Sequence, residues 1–197
     1  MNVIEHYDLL IDENNDPFHD SDEMQMYMDQ WDGAKFLDAM SLSGHERVLE
    51  IGVGTGRLAS RVAPKCNEFV GIDISPKTVY RASTNLLDFS NVRLICADFL
   101  LHQFTERFDI IYSSLTLFHF EDKMRFFNKV ASLMTDNSRF VLSIDKSQNE
   151  YIDMGTRKLR IYPDNPSSTK SFIYSAGLRI LSDFETELAH VFIIVKK

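Results

Sequence analysis

A mainly parallel α/β domain is the fold class this sequence predicts, and three observations carry it. RVLEIG (47–52), EFVGIDI (68–74), NVRLICA (91–97), FDIIYS (108–113) and SRFVLSI (138–144) are five short, nearly continuous apolar, β-rich runs. LASRVA (58–63), PKTVYRASTNLL (76–87) and EDKMRFFNKVASLM (121–134) lie between them with helical spacing. Near-continuous strands joined by helical crossovers belong to a parallel sheet covered on both faces. The third observation is the closing stretch. PSSTKSFIYSAG (166–177) reads as a helix stopped by Gly177, and LRILSDFETEL with AHVFIIVKK as an antiparallel hairpin on the sheet edge.

Taken in order, the chain begins with an acidic segment. Residues 11–22 are polar, Asp-rich and broken by Pro17, which predicts a loop. From Asp22 to Met40, the residues Met24, Tyr27, Met28, Trp31 and Leu37 recur at three- to four-residue steps, predicting one or two helices from a Ser21/Asp22 cap. Pro76 after Ser75 is a favoured helix start. Residues 155–162 hold a basic cluster, Arg157, Lys158 and Arg160, where alternation predicts a solvated extended segment; an anion-recognising flap is the sharper alternative. The organisation expected is a loop and helical cap over 1–40 and a core over 41–197, with 146–165 as a possible substrate flap.

Composition bounds the function. A chain of 197 residues with 44% hydrophobic side chains makes one domain with a full core. The net charge is −8, yet residues 1–45 carry eleven acids against the single Lys35, so the acidity belongs to one segment. An acidic chain is a poor general binder of nucleic acid. No run approaches the ~18 apolar residues of a membrane span, and the N-terminus lacks the pattern of a secretory signal. Cys66 and Cys96 form no CxxC pattern, and two buried free thiols in a reducing, cytoplasmic compartment are expected. The histidines show no metal-ligand spacing, so no metal is expected.

The chemistry concentrates at Glu50-Ile-Gly52-Val-Gly54-Thr-Gly56, where the first strand meets its helix. Glycines here let the backbone approach a ligand closely, at the carboxyl end of a central strand where open α/β sheets bind ligands. Gly54-Thr-Gly56-Arg-Leu-Ala59 also fits a dinucleotide loop, so the glycines alone do not choose. Glu50 would repel a pyrophosphate and suits a cationic or amine-bearing ligand. Asp73 is placed for ribose hydroxyls, or alternatively as a helix-capping residue, since GIDISP resembles a turn. Asp98, beside Phe99, is placed for an adenine amino group, or alternatively as a turn cap. Three carboxylates at strand ends describe a nucleoside pocket without phosphates.

VLEIGVGTGRLA, VGIDIS, RLICADFL and FDIIYSSLTLFHF together resemble the successive motifs of class I S-adenosylmethionine-dependent methyltransferases, over roughly residues 33–145. The resemblance implies a Rossmann-like three-layer fold, with seven strands ordered 3-2-1-4-5-7-6, strand 7 antiparallel, and an N-terminal helical lid. It implies that Gly52, Gly54 and Gly56 line the methionine part of S-adenosylmethionine. Asp73, with neighbouring Ile74, would hold the ribose, Asp98 and Phe99 frame the adenine, and the backbone around Ser113 meet the amino group. Tyr27, or else Tyr7, would reach the cofactor from the lid, beside the plainer reading of Tyr27 as a helix-core residue. The short link from Asp98 to Phe108 departs from the pattern and shortens or removes a family helix.

His119, in SSLTLFHF, stands where a methyl acceptor belongs, either as a general base or as a helix-capping histidine. The function expected is methylation of a small molecule at oxygen or nitrogen, yielding S-adenosylhomocysteine, by a monomer or homodimer. The competing readings are a nicotinamide-dependent oxidoreductase and a catalytically silent cofactor-binding partner. Base methylation is disfavoured, because no Asn/Asp-Pro-Pro-aromatic string follows the fourth strand.

Overall fold

The structure is a computed structural model that describes residues 1–196. Seven strands form its main sheet: β1 (Arg47–Ile51), β2 (Glu68–Asp73), β3 (Val92–Cys96), β4 (Phe108–Ser114), β5 (Met134–Asp145), β8 (Leu178–Glu185) and β9 (Ala189–Lys196). Their order is β3-β2-β1-β4-β5-β9-β8. The first five run parallel, and β9 is antiparallel to both β5 and β8. This is the strand order the motifs imply.

Side chains on a strand point alternately to the two faces, so neighbouring residues feed two cores. Leu49, Val70, Ile111, Phe140 and Phe192 pack on one face with Phe126, Phe127 and Val130 of α6 (Lys123–Leu133) and Ile173 of α7 (Pro166–Ser175). Val48, Phe69, Ile110, Val141 and Val191 pack on the other. There they meet Phe36 of α3 (Ala34–Asp38) and Val62 of α4 (Ala59–Val62). Phe36 and Met40 are fully buried in this second core, so the end of the acidic segment belongs to the body of the domain.

Helix α5 (Pro76–Asn85) starts as expected, Ser75 Oγ accepting from Thr78 N and Pro76 filling the first turn. The link between β3 and β4 holds only turns, as its shortness implies. A small antiparallel pair, β6 (Tyr151–Asp153) and β7 (Lys158–Arg160), occupies the flap; Leu159 is buried while Lys158 and Arg160 are exposed. Cys66 is buried, but Cys96 is exposed on the edge strand β3, which corrects the expectation of two buried thiols. One element was not foreseen. Helix α1 (Val3–Asp12) is closed by a capping box in which Asn2 and Glu5 each accept from the other's backbone N–H.

Candidate active site

The carboxyl ends of β1, β2 and β4 and the turn after β3 open into a cavity of about 510 Å3, a size suited to a small-molecule ligand. The glycine loop forms its floor. Gly54 has φ +55°, and a Cβ there would meet nothing within 4 Å, so its backbone faces open space. Gly52 is demanded by packing: at φ +81° its Cβ would lie 2.2 Å from Thr116 Oγ1. Leu115, held at φ +51°, makes the tight turn between Ser114 and Thr116, a backbone form costly for leucine.

Asp73 accepts from Gly54 N at 3.1 Å through one oxygen and from Ser75 N at 3.0 Å through the other. One N–H per oxygen leaves acceptor capacity on both for a vicinal diol. Glu50, buried, accepts from the Tyr112 hydroxyl at 2.7 Å. Burial raises the Glu50 carboxyl well above its ordinary value, against the opposing pull of the Tyr112 hydroxyl and Arg57. Burial raises Asp73 too, against its backbone N–H donors. A cation entering here would favour the charged form of both groups, which is how an acidic, desolvated wall favours a positive ligand.

The acidic segment roofs the cavity. Val3 and Tyr7 of α1, Pro17, and Met28 and Asp32 of α2 (Asp22–Asp32) line it from above. Six of the segment's acids, Asp8, Asp12, Glu13, Asp16, Asp29 and Asp32, are engaged with cations, a hydroxyl or helix N–H groups around the rim. Asp8 Oδ1 accepts from Ser75 Oγ at 2.6 Å and Lys77 N at 3.2 Å, at the start of α5. Asp12 pairs with Lys77, Glu13 with Arg157, Asp16 with Arg81 and Asp29 with Arg61. Asp32, buried, takes both its oxygens to Arg57 at 2.7 and 2.6 Å and also accepts from Ser114 Oγ at 2.7 Å. Trp31 on the same helix donates through Nε1 to Asp145 at 3.3 Å, and Ser143 Oγ donates to its carbonyl.

His119 closes a 3-10 turn, Leu117–His119, that faces the roof. Lys123 Nζ donates to the Leu117 and Tyr162 carbonyls and pairs with buried Asp164 at 2.5 Å, pinning this turn to the end of the flap. His119 Nε2 meets the Tyr7 hydroxyl at 2.8 Å. Burial, with His6 and Lys123 nearby, holds the imidazole down at about 3.

Of the residues expected at the site, Glu50, Gly52, Gly54, Asp73, Ile74, Asp98, Phe99 and His119 are brought together on the cavity wall. Asp98 also caps its own turn, accepting from Leu100 N at 2.7 Å. Three are not on the wall. Gly56 (φ +96°) instead lets Leu86 approach, its Cβ falling 2.9 Å from that side chain. Ser113 is fully buried with its hydroxyl donating to the Ile51 carbonyl, while Ser114, Leu115 and Thr116 line the cavity. Tyr27 is 49% exposed and packs on Trp31; the lid reaches the cavity through Tyr7. The sharper reading of the basic run also departs from the structure, for Arg157 pairs with Glu13 and Lys158 with Asp153, off the cavity wall. Asp32 and Arg57 went unnoticed in the sequence, since nothing local joins two residues 25 apart. Among the described residues, no group of three or more His, Cys, Asp or Glu is placed to hold a metal ion, and no helix is long and apolar enough to cross a membrane.

A methyltransferase-domain family matches residues 42–173, two thirds of the chain, and the chain belongs to that family. It is 30% identical over 98 residues to malonyl-[acyl-carrier protein] O-methyltransferase 1 of Ilyobacter polytropus, a match covering 49% of this chain and 37% of that protein. The chain spans half or less of the length of the first curated relatives it matches. Its fold is that of the N-methyltransferase NodS of Bradyrhizobium japonicum, solved with S-adenosylhomocysteine, at TM-score 0.72 and 16% identity over 98% of each chain. The [4+2]-cyclase SpnF also shares it, at TM-score 0.78 and 17% identity over 98% of this chain and 95% of that one. Such distant likenesses show the class I methyltransferase fold and leave the chemistry to the site.

Proposed function

We propose that this protein transfers the methyl group of S-adenosylmethionine to a small-molecule acceptor. The observation that supports this best is the joining of three features in one roofed cavity: the bare Gly54 backbone, the Asp73 carboxylate with free acceptor capacity on both oxygens, and the buried Glu50. These residues fit the cofactor. A side chain at Gly54 would fill the floor, Asp73 suits two ribose hydroxyls, and the acidic wall suits a sulfonium and an ammonium.

When bound, S-adenosylmethionine supplies an electrophilic methyl group on positively charged sulfur. The chain's own contribution is to bind, orient and exclude water. Gly54 allows close approach, Phe99 and Ile74 offer apolar surface, and α1 and α2 cover the opening. His119, on the cavity wall with its Nε2 at the Tyr7 hydroxyl, is the base we assign to the acceptor's proton. Two features support a small acceptor: the limited volume under the roof, and the acidic lid, which opposes a polyanion.

Thermal melting with S-adenosylhomocysteine, S-adenosylmethionine and NAD tests the reading. A rise is expected with the first two and none with NAD, and Asp73→Ala should remove most of it. A rise with NAD alone would overturn the assignment in favour of an oxidoreductase.

A further inference from the structure

The roof and the wall of the cavity meet at a hydrogen bond. Tyr7 and His119 lie 112 positions apart, yet their Oη and Nε2 atoms are 2.8 Å apart and their rings meet edge to face at 5.4 Å. Both line the cavity. His119 Nδ1 is buried with no hydrogen-bond partner among the described residues, so the Tyr7 hydroxyl alone fixes the imidazole. The surroundings add no competing group: His6 lies edge-on to the Tyr7 ring at 5.1 Å, with Arg157 and Glu13 behind it, Lys123 is committed to the Leu117 and Tyr162 carbonyls and to Asp164, and Asp73 is held by backbone N–H groups.

Building on the methyl-transfer reading above, we propose that Tyr7 and His119 form a proton-handling pair completed only when the lid is down, and that the acceptor is an uncharged hydroxyl compound, a phenol or an alcohol. Such an acceptor must lose its proton around the moment of attack. As the acceptor oxygen forms its bond to the methyl carbon, the carbon–sulfur bond breaks and its electron pair stays on sulfur. The hydroxyl proton passes to Tyr7 Oη while the proton of Tyr7 moves to His119 Nε2. Tyr7 is regenerated, and the positive charge that began on sulfur ends on the imidazolium. The wall argues against an anionic acceptor. It carries Asp32, Glu50, Asp73, Asp98, Glu121 and Asp122, and its one cation among the described residues, Arg57, is bound by Asp32. A carboxylate would need no base and would find no free counter-charge. An amine would be drawn to the acids as its cation, with no lone pair to attack.

The test combines three readouts on the intact chain. In nitrogen NMR of the wild type, His119 Nε2 should show a hydrogen-bonded, neutral imidazole that changes on Tyr7→Phe. In turnover followed by homocysteine release, phenols and alcohols should be methylated and size-matched carboxylic acids and amines should not. Tyr7→Phe and His119→Gln should each lower kcat roughly a hundredfold and alter its pH profile, with the acceptor KM within threefold of wild type and the melting shift with S-adenosylhomocysteine retained. An unchanged His119 nitrogen signal in Tyr7→Phe, an unchanged kcat and pH profile, or a preference for amines or carboxylates would each overturn the proposal. A wild type without the melting shift would instead sink the methyl-transfer reading, while the NMR comparison still decides whether the pair exists; if His119→Gln does not fold, Tyr7→Phe and the wild-type spectrum decide it.

Discussion

Two glycines of one loop separate binding from stability. Gly54 takes φ +55° beside open space, whereas Gly52 takes φ +81° beneath Thr116. Gly54→Ala should therefore cost only the left-handed backbone penalty, about 1–2 kcal/mol, while its methyl group projects into the cavity. The expected result is a folded protein whose melting temperature no longer responds to S-adenosylhomocysteine. Gly52→Ala adds an overlap with Thr116 to the same backbone penalty and should cost about 3 kcal/mol in urea denaturation. If both variants lose equal stability, the two roles are misassigned. The loop itself was legible because its three glycines stand together in the chain. Which glycine faces the ligand was not, since that depends on Thr116 and Leu86, brought in by the fold.

Helix α1 shows what a one-dimensional reading misses. Its capping box, Asn2 with Glu5, is written locally, but the stretch reads as an acidic arm until its partners on α5 and the flap are seen. The strands were legible within a few residues as nearly continuous apolar runs, because a central parallel strand is buried on both faces, and the crossover helices were legible by their apolar spacing. The lid was legible only as a charge imbalance. Asp8 is the residue that ties it to α5, since its carboxylate sits at the N-terminal end of that helix, where helix N–H groups and the macrodipole favour an anion. Asp8→Ala should weaken the docking of α1 by about 1 kcal/mol. Hydrogen exchange of the α1 amides should then quicken about fivefold, with the sheet unaffected. Equal protection in both proteins would show that Asp8 is not the tie.

The net charge of −8 describes the whole chain poorly, because six of the eleven acids of the first 45 residues are engaged at the rim. Acid sensitivity should come from histidine. Burial lowers His6 and holds His119 at about 3, so both are neutral in the folded chain and gain protons on unfolding near the ordinary value of 6.5. The contribution of His119 is complete above about pH 6.5 and is lost as pH falls from there toward about 3, and that of His6 is lost in the same direction. Glu50 and Asp73, raised by burial, run the other way and offset part of that loss on acidification. Stability by urea denaturation should fall between pH 7 and 5, and His119→Gln should recover about 2 kcal/mol of that fall. A variant with the same pH dependence as the wild type would show that His119 is not held neutral. One feature of the roof also makes its position observable. Trp31 is the only tryptophan of the chain, half-buried on α2 with its indole N–H on Asp145. Its fluorescence is thus a native optical reporter: emission should shift to longer wavelength when α2 lifts, so the position of α2 can be followed in a stopped-flow mixer on mixing with S-adenosylhomocysteine without attaching a dye.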